Sequence, residues 1–276
     1  MVSKLDYGEK EVAASRSVLI ELIHILGAFQ NDMVIIGGSA PPLLFPDAAD
    51  RYVGTLDVDI ALNPHWPAES YASLKSLLLQ HGYRENREQP FIFYRDLAQP
   101  DSAAITVQVD FLSGEYGGTG KTHRTQLIRD MRARKARGCD LAFSSNVHVP
   151  IEGLLPGGGV DRVLCKISAI VPFLVMKGMA LADRLKEKDS WDIYFCILNY
   201  PGGLDNLIAE ITFHIGNKLV VEGMHKISDK FLSPDHIGPK QIADFEGIID
   251  TSERARIQRD SFERIDYILR GIGIRN

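Results

Sequence analysis

The 276-residue chain carries 31 Lys and Arg residues against 36 Asp and Glu residues, so its formal net charge is −5, and 45% of its residues are hydrophobic. This composition is that of a globular protein with a substantial core and excludes a disordered, collagen-like or coiled-coil chain. No apolar run is long enough for a transmembrane helix, so we expect no membrane partner. The three cysteines are widely spaced, and the N-terminal residues do not resemble a signal peptide. These features predict a reduced, cytoplasmic protein.

Hydrophobic periodicity predicts a mixed α/β arrangement in the first part of the chain. A helical spacing covers 11–30, a buried strand covers Met33–Ile36, and Gly37-Gly38-Ser39 precedes a helix that Ser39 would cap. Further strands are predicted at Leu56–Leu62, Phe91–Arg95 and Ile105–Leu112, a helix at 68–81, and a strand pair at 140–150 and 161–171 across the turn Gly157-Gly158-Gly159.

The hydrophobic period changes at about residue 172. Most of the chain beyond that point has helical spacing, interrupted by Pro201-Gly202-Gly203, Pro234 and Pro239. We therefore predict an α+β protein with a mixed-sheet core domain at residues 1–172 and a helical C-terminal domain at residues 173–276.

Three aspartates mark two of the predicted strands. Asp57 and Asp59 alternate with Val58 and Ile60, so both carboxylates face one side of their strand, about 7 Å apart. Asp110 lies in a second strand, whose apolar residues face away from it. If the two strands are neighbours, three carboxylates converge in a way that suits Mg²⁺, whereas an Asp-x-Asp alone more often marks a solvated strand face.

The turn Gly37-Gly38-Ser39 stands between a predicted strand and a predicted helix start. Such a junction offers backbone N–H groups to an anion, and glycine allows a phosphate to approach them closely. The turn therefore predicts phosphate binding by Gly38 and Ser39, although a Gly-Gly-Ser sequence alone is more often only a turn.

Together, the glycine turn, the Asp-x-Asp strand and the later strand aspartate resemble the polymerase-β-like nucleotidyltransferase superfamily. The resemblance implies a small mixed sheet in which Asp57, Asp59 and Asp110 bind two Mg²⁺ ions while Gly38 and Ser39 hold a nucleoside triphosphate. The 17 residues between Ser39 and Asp57 exceed the superfamily pattern. We attribute them to an insertion around Phe45–Tyr52, which is expected to be an exposed loop.

A second motif lies near the start of the helical region, Lys177-x2-Ala-x3-Arg184-x3-Lys188-Asp189-x2-Asp192. On one unbroken helix its three cations would fall within about 20° of one line, with Asp192 about 60° away. Taken alone, an ordinary exposed helix face is the simpler explanation of this stripe.

Joined to the N-terminal aspartates, the second motif resembles the abortive-infection nucleotidyltransferase toxins of the AbiEii/AbiGii type. The resemblance spans about residues 34–200 and implies transfer of a nucleoside monophosphate to RNA by a toxin or phage-defence protein with a protein antitoxin. It further implies that Lys177, Arg184 and Lys188 bind the nucleotide, that Lys177 also serves catalysis, and that Asp189 or Asp192 positions Lys188 or the acceptor.

One segment is strongly basic. Residues 121–137 hold seven Lys and Arg residues and one acid, a charge of +6 that leaves −11 for the remainder of the chain. The segment predicts phosphate contacts with RNA, through Arg129, Arg132 and Arg134. A solvated helix face and a second nucleotide clamp for a small acceptor are the alternatives.

The sequence gives little support for a P-loop or for a zinc site. Gly117-Gly-Thr-Gly-Lys-Thr122 has Glu115 where a P-loop needs its first glycine, and the histidines lack the spacing of a zinc site. The sequence therefore predicts a metal-dependent nucleotidyltransferase. Its two alternatives are a small-molecule, antibiotic-type nucleotidyltransferase and a catalytically inactive nucleotide-binding module.

Overall fold

The secondary structure is that of a computed structural model that describes residues 2–65, 73–99, 103–115, 124–128 and 130–276. The described strands are β1 Met33–Ile36, β2 Asp57–Leu62, β3 Arg84–Glu85, β4 Ile92–Leu97, β5 Ile105–Ser113, β6 Thr125–Ile128, β7 Met131–Lys135, β8 Asn146–Leu154 and β9 Val160–Ser168. The described α-helices are α1 Glu9–Ile25, α2 Pro41–Leu44, α3 Leu74–Gln80, α4 Leu141–Ser144, α5 Ile170–Asp183, α6 Glu187–Leu198, α7 Gly203–His214, α8 Lys218–Ser228, α9 Ile237–Phe245 and α10 Thr251–Gly271.

The chain divides into two compact units. A sheet unit is formed by Tyr7–Ala40 and Gly54–Ala169, and a helical unit is formed by Met1–Asp6, Pro41–Val53 and Ile170–Asn276. The predicted α+β class is confirmed, since a mixed sheet with flanking helices is followed by the helices α5 to α10.

The sheet mixes parallel and antiparallel pairs in the order β3-β4-β5-β2-β1-β9-β8, with β7 pairing both β5 and β6. The pair β1–β2 is antiparallel and the pair β2–β5 is parallel. One face of β2 and β5 is apolar, with Val58, Ile60, Val109 and Phe111 almost completely buried. The predicted strand pair around Gly157–Gly159 is confirmed as the antiparallel hairpin β8–β9.

The described part of the basic segment forms a hairpin, and the helix considered for it is wrong. Strands β6 and β7 pair in antiparallel fashion, and β7 also extends the sheet beside β5. In β7 the buried residues Met131 and Ala133 alternate with Arg132 and Arg134, which is the period-2 pattern of a strand. The density of cations concealed that alternation in the sequence.

The segment expected to be an exposed insertion, Phe45–Tyr52, is also different in the structure. It contains the 3-10 helix Pro46–Arg51 and belongs to the helical unit. Phe45, Ala48 and Tyr52 are all buried. Tyr52 packs against Trp191 and Phe195, with ring centroids 5.4 and 5.0 Å apart. The segment is buried because of its apolar side chains, whereas the exposed loop was expected from its length alone.

Two helix starts differ from the sequence expectation. The helix after the glycine turn is only the four residues of α2, and Ala40, not Ser39, precedes it. The helix predicted at 68–81 begins at Leu74, where Ser73 caps it by accepting a hydrogen bond from the Ser76 N–H. Residues 66–72 lie outside the described part of the chain.

None of the described helices is both long and apolar enough to cross a membrane. The three cysteines, Cys139, Cys165 and Cys196, are buried free thiols. Burial raises the pKa of Cys165 to about 12, and this thiol is a poor nucleophile at neutral pH.

Candidate functional site

The sheet places the three predicted strand aspartates on one face. In the parallel pair β2–β5, Asp59 is the direct neighbour of Asp110, and Asp57 is the neighbour of Gln108. Residues in register on adjacent strands face the same side, and Asp57 and Asp59 are two residues apart. We call the three carboxylates of Asp57, Asp59 and Asp110 the acid face.

Each end of the acid face is held by a hydrogen bond from a neighbouring side chain. Thr55 Oγ1 donates to Asp57 Oδ1 at 2.5 Å, and Gln108 Nε2 donates to Asp110 Oδ1 at 2.7 Å. Asp110 is buried, whereas Asp57 and Asp59 are half-buried. Within the described ranges, no three Asp, Glu, His or Cys side chains already form a group arranged to hold one metal ion. The strands therefore place the three carboxylates on one face, but the carboxylates are not already arranged as the ligands of one metal ion.

The glycine turn lies directly against the acid face. Strand β1 pairs with β2 so that Ile36 is the neighbour of Asp59, which brings the next residue, Gly37, to that carboxylate. Gly37 has a left-handed φ of +66°, and a methyl group there would collide with Asp59 Oδ2. Both the backbone angle and the close approach require glycine at this position.

Replacing Gly37 with Ala is expected to lower the free energy of unfolding by about 1–2 kcal/mol, because a Cβ strains a left-handed residue. It also has to displace the Asp59 carboxylate, so any activity of the acid face should be lost. Urea unfolding and an activity assay measure the two effects. The matched control is Gly27→Ala, since no described atom lies within 4 Å of the methyl group it adds. Equal stability of the two variants would contradict the packing described for Gly37.

A fourth acid, Asp140, lies near the end of β5 and was not singled out from the sequence. Gly114 packs so closely against it that a methyl group at residue 114 would collide with the Asp140 carboxylate. Burial raises the pKa of Asp140, the charge of His65 opposes this shift, and the charge of Glu115 adds to it. No spacing in the sequence connects residue 140 to residue 114.

Cys139 is close enough to the acid face to feel its charge. Burial raises the pKa of the Cys139 thiol, and the charges of Asp140 and Asp59 raise it further. A thiol in these surroundings stays protonated and does not act as a nucleophile at neutral pH.

The residues of the second motif do not form one stripe, because the helix is broken. Helix α5 ends at Asp183, and Lys186 has the extended backbone (φ −100°, ψ 119°) that precedes helix α6. The unbroken helix assumed from the sequence is therefore wrong. The break allows acids on α6 to meet cations on α5 instead of lining up beside them.

The motif is a buried ionic network. Lys177 Nζ lies 2.8 Å from Asp189 Oδ1 and 2.6 Å from Asp192 Oδ2. Arg184 Nε lies 2.9 Å from Asp189 Oδ2, and Lys188 Nζ lies 2.9 Å from Asp192 Oδ1. Asp189 therefore holds Lys177 and Arg184, while Asp192 holds Lys177 and Lys188. Both carboxylates and both lysines are almost fully buried, whereas about half of the Arg184 side chain is exposed.

Tyr52 belongs to the same network, although the sequence analysis assigned it to an exposed loop. Its hydroxyl donates to Asp192 Oδ1 at 2.9 Å and accepts from Lys188 Nζ at 2.8 Å. Tyr52 packs its ring on Trp191 while its hydroxyl joins these charges. The sequence signal was weak, since a lone Tyr after a loop has many roles.

The ion pairs outweigh the cost of burial for the charged groups of the network. Burial alone would lower the pKa of Lys177, but the carboxylates of Asp189 and Asp192 raise it above its usual value. Burial alone would raise the pKa of Asp189, but Lys177 and Arg184 lower it. The pKa of Asp192 is likewise lowered against burial by Lys177 and Lys188. The network is therefore ionised at neutral pH.

One discounted motif and part of the basic segment lie outside the described residues. Of the P-loop-like segment Gly117–Thr122 no residue is described, and the same holds for Lys121, His123 and Arg129 of the basic segment.

Comparison with known proteins gives one similarity to report. No protein-family model and no curated protein matches the chain. Among solved structures, the crystal structure of an antigenic nucleotidyltransferase-like protein from Paracoccidioides brasiliensis is 17% identical to it, covering 80% of this chain and 89% of that chain with a TM-score of 0.47. Because this TM-score lies below 0.5, we base no functional argument on the likeness.

Proposed function

We propose that this chain is a nucleotidyltransferase that uses a nucleoside triphosphate and Mg²⁺. The observation that carries the proposal is the register of β1, β2 and β5, which brings Asp59, Asp110 and the glycine turn together on the sheet. Nucleotide transfer needs oxygen ligands for metal ions beside a surface that a triphosphate can approach closely. The acid face and the turn at Gly37 supply both features.

The residues fit Mg²⁺ in chemical type, and they lie on one face of the sheet. Mg²⁺ prefers carboxylate oxygens and keeps several waters, so one or two protein carboxylates for each ion are enough. Asp59 and Asp110 are cross-strand neighbours, and Asp57 shares their face. Thr55 and Gln108 each occupy one carboxylate oxygen, so we expect metal binding to compete with these two hydrogen bonds. When bound, the ions would polarise the acceptor hydroxyl and offset charge on the triphosphate.

The chain's own residues would then have separate tasks. Gly38 and Ser39 would bind triphosphate oxygens, and Gly37 would let them approach the backbone. Asp57 and Asp59 would hold both metal ions, and Asp110, the most buried of the three, would complete the metal site beside the acceptor hydroxyl. The acceptor hydroxyl gives its proton to water, and its oxygen bonds to the α-phosphorus. The bond between the α-phosphorus and the oxygen that bridges it to the β-phosphorus breaks, and pyrophosphate leaves with that oxygen.

The second motif has a related role in the proposal. Lys177, Lys188, Asp189 and Asp192 satisfy one another within the ionic network, which makes them positioning residues. Arg184 is the member with an exposed side chain, and we propose that it binds a phosphate group of the nucleotide while Asp189 orients it.

RNA is the acceptor we propose, through the exposed cations of the β6–β7 hairpin. Arg124 and Arg132 are both exposed, and the whole segment 121–137 carries a charge of +6. Phosphate contacts release counterions, so such binding weakens steeply with salt. A small-molecule acceptor is the alternative. One observation favours it: the Arg134 side chain is directed towards Asp110, so it is one cation fewer for contacts with RNA phosphates.

Replacing Arg124 and Arg132 together with Ala is expected to weaken RNA binding and to flatten its log–log salt slope by about 1.4, which is about 0.7 for each lost contact with a single strand. The slope is measured between about 50 and 200 mM salt. Arg84→Ala is the control, because Arg84 is an exposed cation of the same sheet that pairs with Asp96. An unchanged slope in the double variant would remove RNA from the proposal and leave the small acceptor.

The proposed activity is tested by incubating the protein with each α-labelled nucleoside triphosphate, Mg²⁺ and total RNA. We expect one triphosphate to label RNA, and EDTA to abolish the labelling. Label on small molecules alone would select the alternative acceptor. Binding of a triphosphate without any transfer would make the chain an inactive nucleotide-binding module.

The cellular role is a separate proposal, derived from the sequence resemblance. If the chain is a toxin of the AbiEii/AbiGii type, its induced expression in a bacterial host should arrest growth, and a protein antitoxin should relieve the arrest. An Asp59→Asn variant should be harmless in the same assay. Arrest by the variant as well would separate growth inhibition from nucleotide transfer.

A further inference from the structure

Arg134 lies on the acid face because of the register of strand β7. In the parallel pair β5–β7, Leu112 is the direct neighbour of Arg134. Leu112 is two residues beyond Asp110, so Asp110, Leu112 and Arg134 face the same side of the sheet. Met131 and Ala133 face the other side, where both are buried.

The guanidinium of Arg134 is placed beside the acids without being satisfied by them. Its Nη2 lies 3.9 Å from Asp110 Oδ2, which is beyond hydrogen-bond length. Its Cζ lies 5.9 Å from the centre of the Phe91 ring, within the range of a cation–π contact. Its Nε is buried and has no hydrogen-bond partner among the described residues. An orphaned donor of this kind is costly unless an acceptor is supplied.

A phosphate group is the acceptor that fits this arrangement. A guanidinium presents two parallel N–H groups that match two phosphate oxygens, which an ammonium group cannot do. The side chain is 41% exposed, so an anion from solution can reach the exposed end of the guanidinium, whereas the buried Nε would meet it only after the group turns. The ring of Phe91 limits the directions in which the guanidinium can turn.

Charge balance on the acid face is the competing explanation. Asp57, Asp59 and Asp110 repel one another, and a nearby cation relieves part of that repulsion without binding any ligand. The two explanations differ in what they predict for a lysine at residue 134, because lysine keeps the charge but lacks the paired donors of a guanidinium.

We infer that Arg134 is a ligand of the triphosphate and binds a phosphate group through its guanidinium. This inference rests on the proposed function and adds to it a residue outside both sequence motifs. It also divides the basic segment: Arg134 serves the nucleotide, whereas Arg124 and Arg132 are left for the acceptor.

The inference is tested with inorganic tripolyphosphate and Mg²⁺, a probe that carries no nucleoside and cannot react by nucleotide transfer. Calorimetric titration should show that Arg134→Gln weakens binding by about 10- to 100-fold. Arg134→Lys should recover only part of the loss, because an ammonium group lacks the paired donors. Arg84→Gln, which changes an exposed cation of the same sheet, should bind as the wild type does.

Transfer kinetics and thermal unfolding separate the possible failures. In the labelling assay Arg134→Gln should raise the KM for the triphosphate, while its melting temperature stays at or near that of the wild type. If the wild type transfers nucleotide and Arg134→Gln binds tripolyphosphate normally, the inference is overturned and the proposed function stands. If Arg134→Gln loses stability without a change in affinity, while Arg134→Lys, which keeps the charge, does not, charge balance is the role of Arg134 and the inference is overturned. If the wild type neither binds tripolyphosphate nor transfers any nucleotide, both the proposed function and this inference are wrong.

Discussion

Replacing Asp59 with Asn is expected to reduce nucleotide transfer by about 1000-fold, which corresponds to about 4 kcal/mol of transition-state stabilisation. Asp59 is the cross-strand neighbour of Asp110, and its carboxylate lies against Gly37, so it connects the two parts of the proposed site. The free energy of unfolding should stay the same or rise, because the neutral side chain relieves repulsion with Asp110. Single-turnover labelling and urea unfolding measure the two effects.

The matched control for this variant is Asp96→Asn. Asp96 lies on the same face of the same sheet, opposite Thr106, and pairs with the exposed Arg84. It is four residues, or about 14 Å, along the strand from the level of Asp110. Transfer should be unchanged in this control. Equal loss of transfer in both variants would mean that the effect of Asp59→Asn is not local.

Replacing Asp192 with Asn is expected to lower the free energy of unfolding by about 3–5 kcal/mol, because it leaves Lys177 and Lys188 buried with less negative charge than they need. The side chain of Asp192 is completely buried and contacts both ammonium groups. Tyr52→Phe removes only a hydroxyl from the same network and should cost about 1–2 kcal/mol. Glu253→Gln breaks the exposed pair with Arg256 and should cost about 0–1 kcal/mol.

The cost of Asp192→Asn should depend on pH in a defined direction. The pKa values of Asp189 and Asp192 are lowered in the folded protein, so their contribution is present above the unfolded value of about 4 and is lost as the pH falls below it. The pKa of Lys177 is raised, so its contribution is lost only at pH values above about 10. The difference between wild type and variant should therefore be constant from about pH 5 to 9 and shrink below about pH 4. A difference that stays constant down to pH 2 would contradict an ionised network.

The local elements of the acid face were predictable from the sequence because their patterns are local. The short apolar run of β1, the alternation around Asp57 and Asp59, and the alternation before Asp110 each predict a strand without knowledge of its neighbours. The register that pairs Asp59 with Asp110 was not predictable, because two parallel strands whose paired residues are 51 positions apart carry no local signal of their alignment.

The errors have physical causes that the sequence does not display. The strand period of Met131–Lys135 was concealed by cations, since only two of its five positions carry apolar side chains. The break between α5 and α6 occurs without proline or glycine, and the ion pairs of Asp189 and Asp192 with Lys177 accompany it. Tyr52 joined the network through tertiary packing, which no spacing between residues 52 and 192 indicates.

The central claim, that the acid face and the glycine turn together hold a metal-bound triphosphate, is tested most directly by a crystal structure with Mn²⁺ and a triphosphate analogue whose α,β-bridge is methylene. We predict anomalous density within about 2.2 Å of carboxylate oxygens of Asp59 and Asp110. The phosphate groups of the analogue should lie against Gly38 and Ser39. Metal and analogue bound elsewhere on the protein, with the carboxylates of Asp57, Asp59 and Asp110 contacting neither, would contradict the claim.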